Sequence, residues 1–429
     1  MTEVMDPWVT QMNFPVVKVS VTATKVTFTQ QRFLVSGAED ASQDVGTYGY
    51  KWTIPITFTV SNNINFTEEY AYDNIHYMNV NGDPLEVGVA VPPDGWIIVN
   101  IQECGFYRVN YEDQIWENII DFMSTNHEVN LIKNVSLPKA GLLAQSIALK
   151  TVNYLSKDLD YAPWRAFSRE LGYVENMLER TPLYGMFQVF MNKTVATPYS
   201  SLGTNITEDM PPVDKIEIAQ MVSMACNYDY QECVDTAVNN MDNWMAGQPN
   251  SMYPDLRSTY YCTAVRHGGL EHWQFVYEKY HTEQSSSEKS RLRRALSCTT
   301  ETWLLQRLLD MSVNASEVRP QDARTTITYV ANSPWGRDLA WNFVTYNYAR
   351  LTEVIQSVSG VGRLLREISV KFNTEQEYKK VQDFMNSDED FSGAGSAFTQ
   401  VLDSTRANIE WLRKNYDTFQ NWLQIQTRN

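Results

Sequence analysis

Between Tyr111 and Glu112 the hydrophobic period of this chain switches from two to a helical one, and it does not switch back. Two architectures follow, one on each side of the stretch WIIVNIQECGFYRVNYEDQIW that runs from Trp96 to Trp116. Upstream, β-branched and aromatic runs are cut by turn formers at roughly eight- to twelve-residue intervals, the rhythm of a small all-β sandwich. About seven strands are expected, over residues 14–21, 26–35, 51–60, 70–80, 85–90, 96–101 and 106–110. Val17, Val19 and Val21 alternate with Lys18, Ser20 and Thr22, as a half-buried strand requires. Gly, Pro, Asn and Asp residues at 36–46, 61–65, 81–84 and 92–95 supply the turns. Gly105, inside a strand-like run, predicts a bulge or a close backbone approach.

Downstream, the pattern is helical to the end of the chain. Asp113 caps a first helix with Trp116, Ile119, Ile120 and Met123 inward, and a longer helix is expected over 139–155. Pro163, Pro182, Pro198, Pro211, Pro212, Pro254, Pro320 and Pro334 punctuate the rest, often where a first helical turn accepts proline. Helix pairs at a spacing of about 35 to 45 residues predict a superhelical solenoid of the HEAT or armadillo kind. The last helix carries Phe398, Leu402, Ile409, Leu412, Tyr416, Phe419 and Leu423 on one stripe. That stripe reads as core packing, with a dimer face as the other meaning. Gly393 and Gly395, close after the acidic residues 388–390, read as a flexible lead-in, because no lysine or preceding strand makes them a phosphate loop. The fold class is thus multidomain β + α: residues 1–13 as a linker, 14–110 as a β-sandwich domain and 111–429 as an α-helical solenoid domain.

The formal charge of −16 argues against a nucleic-acid binder, since phosphate neutralisation needs a clustered surplus of Lys and Arg. It equally disfavours attachment to membranes through basic patches. No apolar run reaches the length of about 20 residues that crosses a bilayer, and the opening MTEVMDPW has no leader-like apolar core and reads as a start inside a longer chain.

The search for catalytic chemistry is negative. A zinc peptidase needs two histidines one helical turn apart beside a glutamate, H-E-x-x-H, and no pair among His76, His127, His267, His272 and His281 has that spacing. His127 is followed by Glu128, but position 131 is Leu131. His267 and His272 flank Gly268 and Gly269 and are expected on a surface loop. No G-x-S-x-G or comparable nucleophile motif occurs. Five sequons, at Asn65, Asn134, Asn192, Asn205 and Asn314, are glycosylation candidates, although about four such triplets are expected by chance. Of the five cysteines, Cys226, Cys233, Cys262 and Cys298 lack the two close pairs of a structural zinc site and fit disulfides better. Cys104 is expected to be a small buried hydrophobe.

W-x-x-x-N followed by G-x-Y-R-V-N-Y and W, at Trp96, Asn100, Gly105 to Tyr111 and Trp116, resembles the strand-to-helix junction of zinc-dependent aminopeptidases of the aminopeptidase N type. MDPWVTQMNFPVV, KWTIPIT, RPQDARTTITYVANSPWGRDLAWNFV and VKFNTEQEYKKVQDF extend the resemblance over nearly the whole chain. C-N-x4-E-C and PDLRSTYYC with RALSC look like that family's two short-range disulfides, which implies Cys226 bonded to Cys233 and Cys262 to Cys298. On an unbroken helix the first pair would be about 10 Å apart, beyond a bridge, so the helix has to break at Asn227, Tyr228 or Asp229. The second bond would staple neighbouring helix pairs.

The resemblance implies a division of labour. The zinc ion and the peptide chemistry belong to a thermolysin-like domain preceding the sandwich, so this chain holds no cofactor and no metal ligand. Its helical domain would curve over that active site, enclose the substrate cavity and limit peptide access; some family members dimerise through it or present it to extracellular ligands. The implied partners are the catalytic domain of the same parent protein, peptide substrates, a second copy, and extracellular proteins; the implied place is the extracellular face of the plasma membrane or the secreted fluid. The alternative reading is a stand-alone extracellular binding or receptor module with no peptidase role.

Overall fold

The computed structural model describes residues 2–34, 46–81, 84–125, 143–152, 155–387, 391 and 394–428. The turn expected at 36–46, His127, Asn134 and the lead-in at 388–393 lie wholly or largely outside the described residues. Two compact units make up the chain, residues 1–158 with 162–170 and residues 159–161 with 171–429.

The first unit is a β-sheet region flanked by helices. Helix α1 (Thr2–Thr10) precedes β1 (Pro15–Val21), β2 (Val26–Arg32), β3 (Ile54–Ile56) and β4 (Phe58–Val60). Helix α2 (Glu68–Asp73), β5 (His76–Met78), β6 (Leu85–Val87), β7 (Ile97–Val99), β8 (Arg108–Tyr111), α3 (Asp113–Thr125) and α4 (Gln145–Lys150) complete it. A four-stranded sheet has the order β6-β2-β1-β8, with β1 and β8 parallel. Two short ladders, β3 with β5 and β4 with β7, are antiparallel. Val17, Val19, Val26, Phe28, Trp52, Ile54, Ile56 and Ile97 have no exposure, so alternate positions of the strands build the core. Residues 2–10 form a helix fastened to the sheets: Trp8 Nε1 donates to Thr53 O at 3.0 Å, and Gln11 Oε1 accepts from Tyr50 N at 2.8 Å.

Three expected strands are corrected. Residues 51–60 break at Thr57 into β3 and β4, which pair in different ladders; Thr57 O accepts from Asn100 N at 2.7 Å and its hydroxyl accepts from Ile101 N at 3.0 Å. Residues 68–73 are helical rather than extended, because Thr67 Oγ1 accepts from Tyr70 N and Glu68 and Glu69 suit the first turn. The strand at 96–101 stops at Val99, since Asn100 turns left-handed at φ 67 and Gln102 and Glu103 follow with positive φ. Gly105 is a close approach: a Cβ there would stand 2.2 Å from the Tyr107 ring. Asn100 clamps this turn, accepting from Gly105 N at 2.8 Å and donating to Gly105 O at 2.9 Å. Cys104 is exposed at the turn instead of buried, because its neighbours are committed to that clamp. Of the helix expected over 139–155, the described part is α4, followed by a 3-10 turn at Leu155–Lys157.

The buried hydroxyl of Tyr111 accepts from Val99 N at 3.0 Å, and burial raises its pKa. Tyr111→Phe would leave that N–H unmet in the core, an expected loss of about 1–3 kcal/mol. A urea titration of both proteins checks this: the midpoint falls while the slope is unchanged. An unmoved midpoint would mean another acceptor reaches Val99.

Helix α5 (Tyr161–Leu178) has residues in both units. The second unit continues with α6 (Tyr184–Leu202), α7 (Pro212–Asn227), α8 (Gln231–Met245), α9 (Arg257–Thr282), α10 (Ser286–Leu296) and α11 (Thr302–Ser312). Then come α12 (Pro320–Asn332), α13 (Arg337–Tyr346), α14 (Tyr348–Ile355), α15 (Val358–Ser369), α16 (Glu375–Met385) and α17 (Gly395–Thr427). Neighbours in sequence pack together, α6 on α7, α8 on α9, α9 on α10, α11 on α12 and α12 on α13. Helix α17 instead packs on α15, α16 and the distant α6, a closure that a strictly one-dimensional stack would not make. Pro212 and Pro320 occupy first-turn positions as expected, whereas Pro198 is buried inside α6.

Candidate functional site

A group of largely buried charges in the second unit lies where four segments meet. Glu179 caps the C-terminal end of α5, and Arg337 is the first residue of α13. Lys371 follows α15, and Glu377 stands in the first turn of α16, where it completes a capping box with Thr374. The Arg337 side chain has no exposure, and those of Glu179 and Glu377 keep 4% and 3%, so these charges have to neutralise one another. Arg337 Nη2 donates to Glu179 Oε2, and Arg337 Nη1 lies 3.7 Å from Glu377 Oε1. Lys371 Nζ donates to the other Glu179 oxygen at 2.9 Å and to Asn332 O at 2.9 Å. Glu377 Oε2 accepts from Asn373 N, Thr374 N and the Thr374 hydroxyl at 2.9, 3.1 and 2.9 Å. Outward, Arg180 reaches Asp338 at 3.0 Å and Lys380 reaches it at 2.9 Å.

Gly336 makes the arrangement possible. A Cβ there would stand 2.2 Å from Val330 O, so only glycine lets the chain turn tightly enough to deliver Arg337 inward. Burial draws the Arg337 pKa down against the opposing pull of Glu179. For Asp338, burial works upward, but the Lys380 hydrogen bond and the Arg180 charge hold it below the usual carboxylate range. Next to the cluster, Glu175 is raised by burial although the Tyr228 hydroxyl, at 3.1 Å, donates to it. The cluster holds helix ends in register. It presents no exposed nucleophile beside a base.

The cysteines form two bonds, Cys226 to Cys233 with Cα atoms 5.2 Å apart and Cys262 to Cys298 with Cα atoms 5.3 Å apart. The helix breaks at Tyr228–Tyr230 between α7 and α8, with Asp229 left-handed at φ 55. The second bond joins α9 to the residues that end α10. His267 Nε2 lies 3.0 Å from Asp229 Oδ1. Residues 267–272 are not a loop, as the sequence suggested, but a kink inside α9 centred on Gly269 at φ 73. His272 is buried rather than on the surface, its Nδ1 2.9 Å from Gly268 O, because Gly268 leaves room for the ring where a Cβ would stand 2.2 Å from it. Among the described residues, no group of three or more His, Cys, Asp or Glu side chains is placed to hold a metal ion. Among them also, no helix is long and apolar enough to cross a membrane.

The order of these parts, from strand β7 through the charge cluster to α17, coincides with a single family match over residues 96–407, described as the ERAP1-like C-terminal domain. The chain belongs to that family. Aminopeptidase Ey of Gallus gallus is 31% identical over 441 residues, covering 99% of this chain and 44% of its own length. The thyrotropin-releasing hormone-degrading ectoenzyme of Rattus norvegicus is 31% identical over 442 residues, covering 98% and 41%. Aminopeptidase N of Rattus norvegicus is 30% identical over 437 residues, covering 98% and 44%. The chain therefore spans less than half the length of these relatives.

Within this ERAP1-like C-terminal domain, the charge cluster apart from Glu179 and Arg180, which follow α5, was hidden in two stretches that carry the family resemblance. SPWGRD supplies Arg337 and Asp338, and VKFNTEQEYKK supplies Lys371, Asn373, Thr374, Glu377 and Lys380. Nothing in their spacing says that they meet; T-x-x-E at Thr374 and Glu377 was the one local signal, a helix start. Among the sequons, Asn205 and Asn314 are exposed, and Asn65 and Asn192, the latter inside α6, are both half-buried.

Proposed function

We propose that this chain is the non-catalytic C-terminal region of an extracellular zinc metalloaminopeptidase whose catalytic domain removes N-terminal residues from peptides. The reading rests on one observation: curated peptidases match 98–99% of the chain at 30–31% identity, while its sequence contains no H-E-x-x-H. In this reading residues 1–13 lead in from the catalytic domain, 14–110 form a β-sandwich from the three sheets, and 111–429 form a HEAT-like solenoid. The solenoid encloses the substrate cavity and limits peptide access, and zinc belongs to the catalytic domain. The two disulfides support an oxidising, extracellular setting. A homodimer through the helical domain is part of the proposal, as are extracellular ligands.

The test compares the purified chain with the parent protein that includes the catalytic domain. The chain alone is expected to hold no stoichiometric zinc and to release no chromophore from an aminoacyl chromogenic substrate, whereas the parent does both. Turnover by the isolated chain, or an inactive metal-free parent, would sink the reading.

A further inference from the structure

We propose that Asn65, Asn205 and Asn314 carry N-linked oligosaccharide and that Asn192, although it stands in an equally good sequon, does not. The proposal rests on the extracellular reading above for its compartment, and on local geometry for its choice of sites. N-glycosylation transfers sugar from a lipid-linked oligosaccharide diphosphate. The Nδ2–C1 bond forms, the C1–O bond to the diphosphate breaks, the diphosphate leaves with the electron pair, and Nδ2 gives up one proton. The product is compatible with a fold only where the carboxamide nitrogen has open space and no structural hydrogen bond to lose.

Asn65 and Asn314 meet the hydrogen-bond part of that condition in the same way, and Asn314 is also exposed. Asn65 Oδ1 accepts from Thr67 N at 3.0 Å and from the Thr67 hydroxyl at 2.8 Å. Asn314 Oδ1 accepts from Ser316 N at 3.2 Å and from the Ser316 hydroxyl at 2.8 Å. In both, the sequon's own turn uses the carboxamide oxygen and leaves the nitrogen for the sugar. Asn205 is exposed on the connection between α6 and α7; its sequon hydroxyl, Thr207, donates to Asp209 instead, so neither group of the Asn205 carboxamide is engaged by it.

Asn192 shares the intermediate exposure of Asn65 but differs in its hydrogen bonds. It lies in the middle of α6, and its Nδ2 donates to Tyr228 O at 3.1 Å, in the turn between Cys226 and Cys233. Its sequon hydroxyl, Thr194, is buried and donates to Phe190 O at 2.8 Å. A sugar placed on Asn192 before folding would occupy the space in which α6 meets that turn. Chains so modified would fail to close the α6–α7–α8 packing, so the folded chain carries none.

The experiment directs the full chain through the secretory pathway of an animal cell, collects the folded, disulfide-bonded product, and removes glycans with an amidase in heavy-oxygen water. Each former carrier is thereby marked as labelled Asp in a peptide map. Marks are expected at 65, 205 and 314 and none at 192, and Asn65→Gln or Asn314→Gln should each remove one step of gel mobility. A mark at 192, or an unmarked residue among the other three, overturns the assignment. The same map on protein from its own cells separates the two readings. If all four sites are bare there while the secreted chain is marked as expected, the extracellular placement fails and the choice of sites stands.

Discussion

Arg337→Met should destabilise the helical unit by about 3–5 kcal/mol, the range for removing one partner of a buried ion pair. Methionine nearly keeps the side-chain volume, so the loss would come from charge and not from a cavity. The two carboxylates left behind are not equally exposed to it. Glu377 retains three donors from Asn373 and Thr374 on its Oε2. Among the described residues Glu179 retains Lys371 alone, at 2.9 Å, while its Oε2 loses the guanidinium. Most of the cost should therefore sit at Glu179. A double-mutant cycle with Glu179→Gln tests this, because the second substitution removes the stranded charge and should recover a large part of the loss. The readout is the urea midpoint followed by helical circular dichroism. A shift below about 1 kcal/mol in the single variant would mean that the cluster is hydrated and behaves like a surface pair.

That cluster also marks the limit of what the sequence made legible. The break between α7 and α8 followed from the implied Cys226–Cys233 bond, whereas periodicity located the switch at Tyr111 and the strands β1 and β2, because each is decided by neighbours along the chain. It placed the inner face of α17 imperfectly for a physical reason. Leu402, Ile409 and Leu412 looked inward by their apolarity yet are half-buried, while the buried line runs through Val401, Thr405, Asn408 and Trp411. Asn408 is admitted because its amide donates to Phe372 O at 2.8 Å and accepts from the Tyr173 hydroxyl at 3.0 Å. A polar residue whose partners lie on remote segments breaks the apolar stripe without breaking the helix. The same holds for Arg337, which local rules would put on a surface. The misplaced strand at 70–80 has the opposite origin: Thr67, Glu68 and Glu69 formed a legible helix start that the β-rich surroundings overrode in the reading.

Removing the Cys262–Cys298 bond is the other large effect, and its size separates two accounts of what the bridges do. The bond spans 36 residues and the Cys226–Cys233 bond spans 7. If bridges act by restricting the unfolded chain, Cys262→Ser with Cys298→Ser should lose about 4 kcal/mol, and Cys226→Ala with Cys233→Ala about 2.4 kcal/mol. The gap of about 1.5 kcal/mol depends only on the logarithm of loop length. Native-state packing predicts the reverse order. Cys226 and Cys233 have no exposure and hold the turn at Asp229, whereas Cys262 and Cys298 are partly exposed and join helices that already pack along their length. Alanine at the buried pair avoids stranding a hydroxyl, and serine at the partly exposed pair keeps its hydroxyl within reach of water, so neither substitution biases the comparison. Urea midpoints of the two double variants, measured without reductant, decide the matter. A larger loss from the short bridge would show that the turn between α7 and α8 needs its bond for native geometry, and that loop entropy is the lesser contribution in this fold.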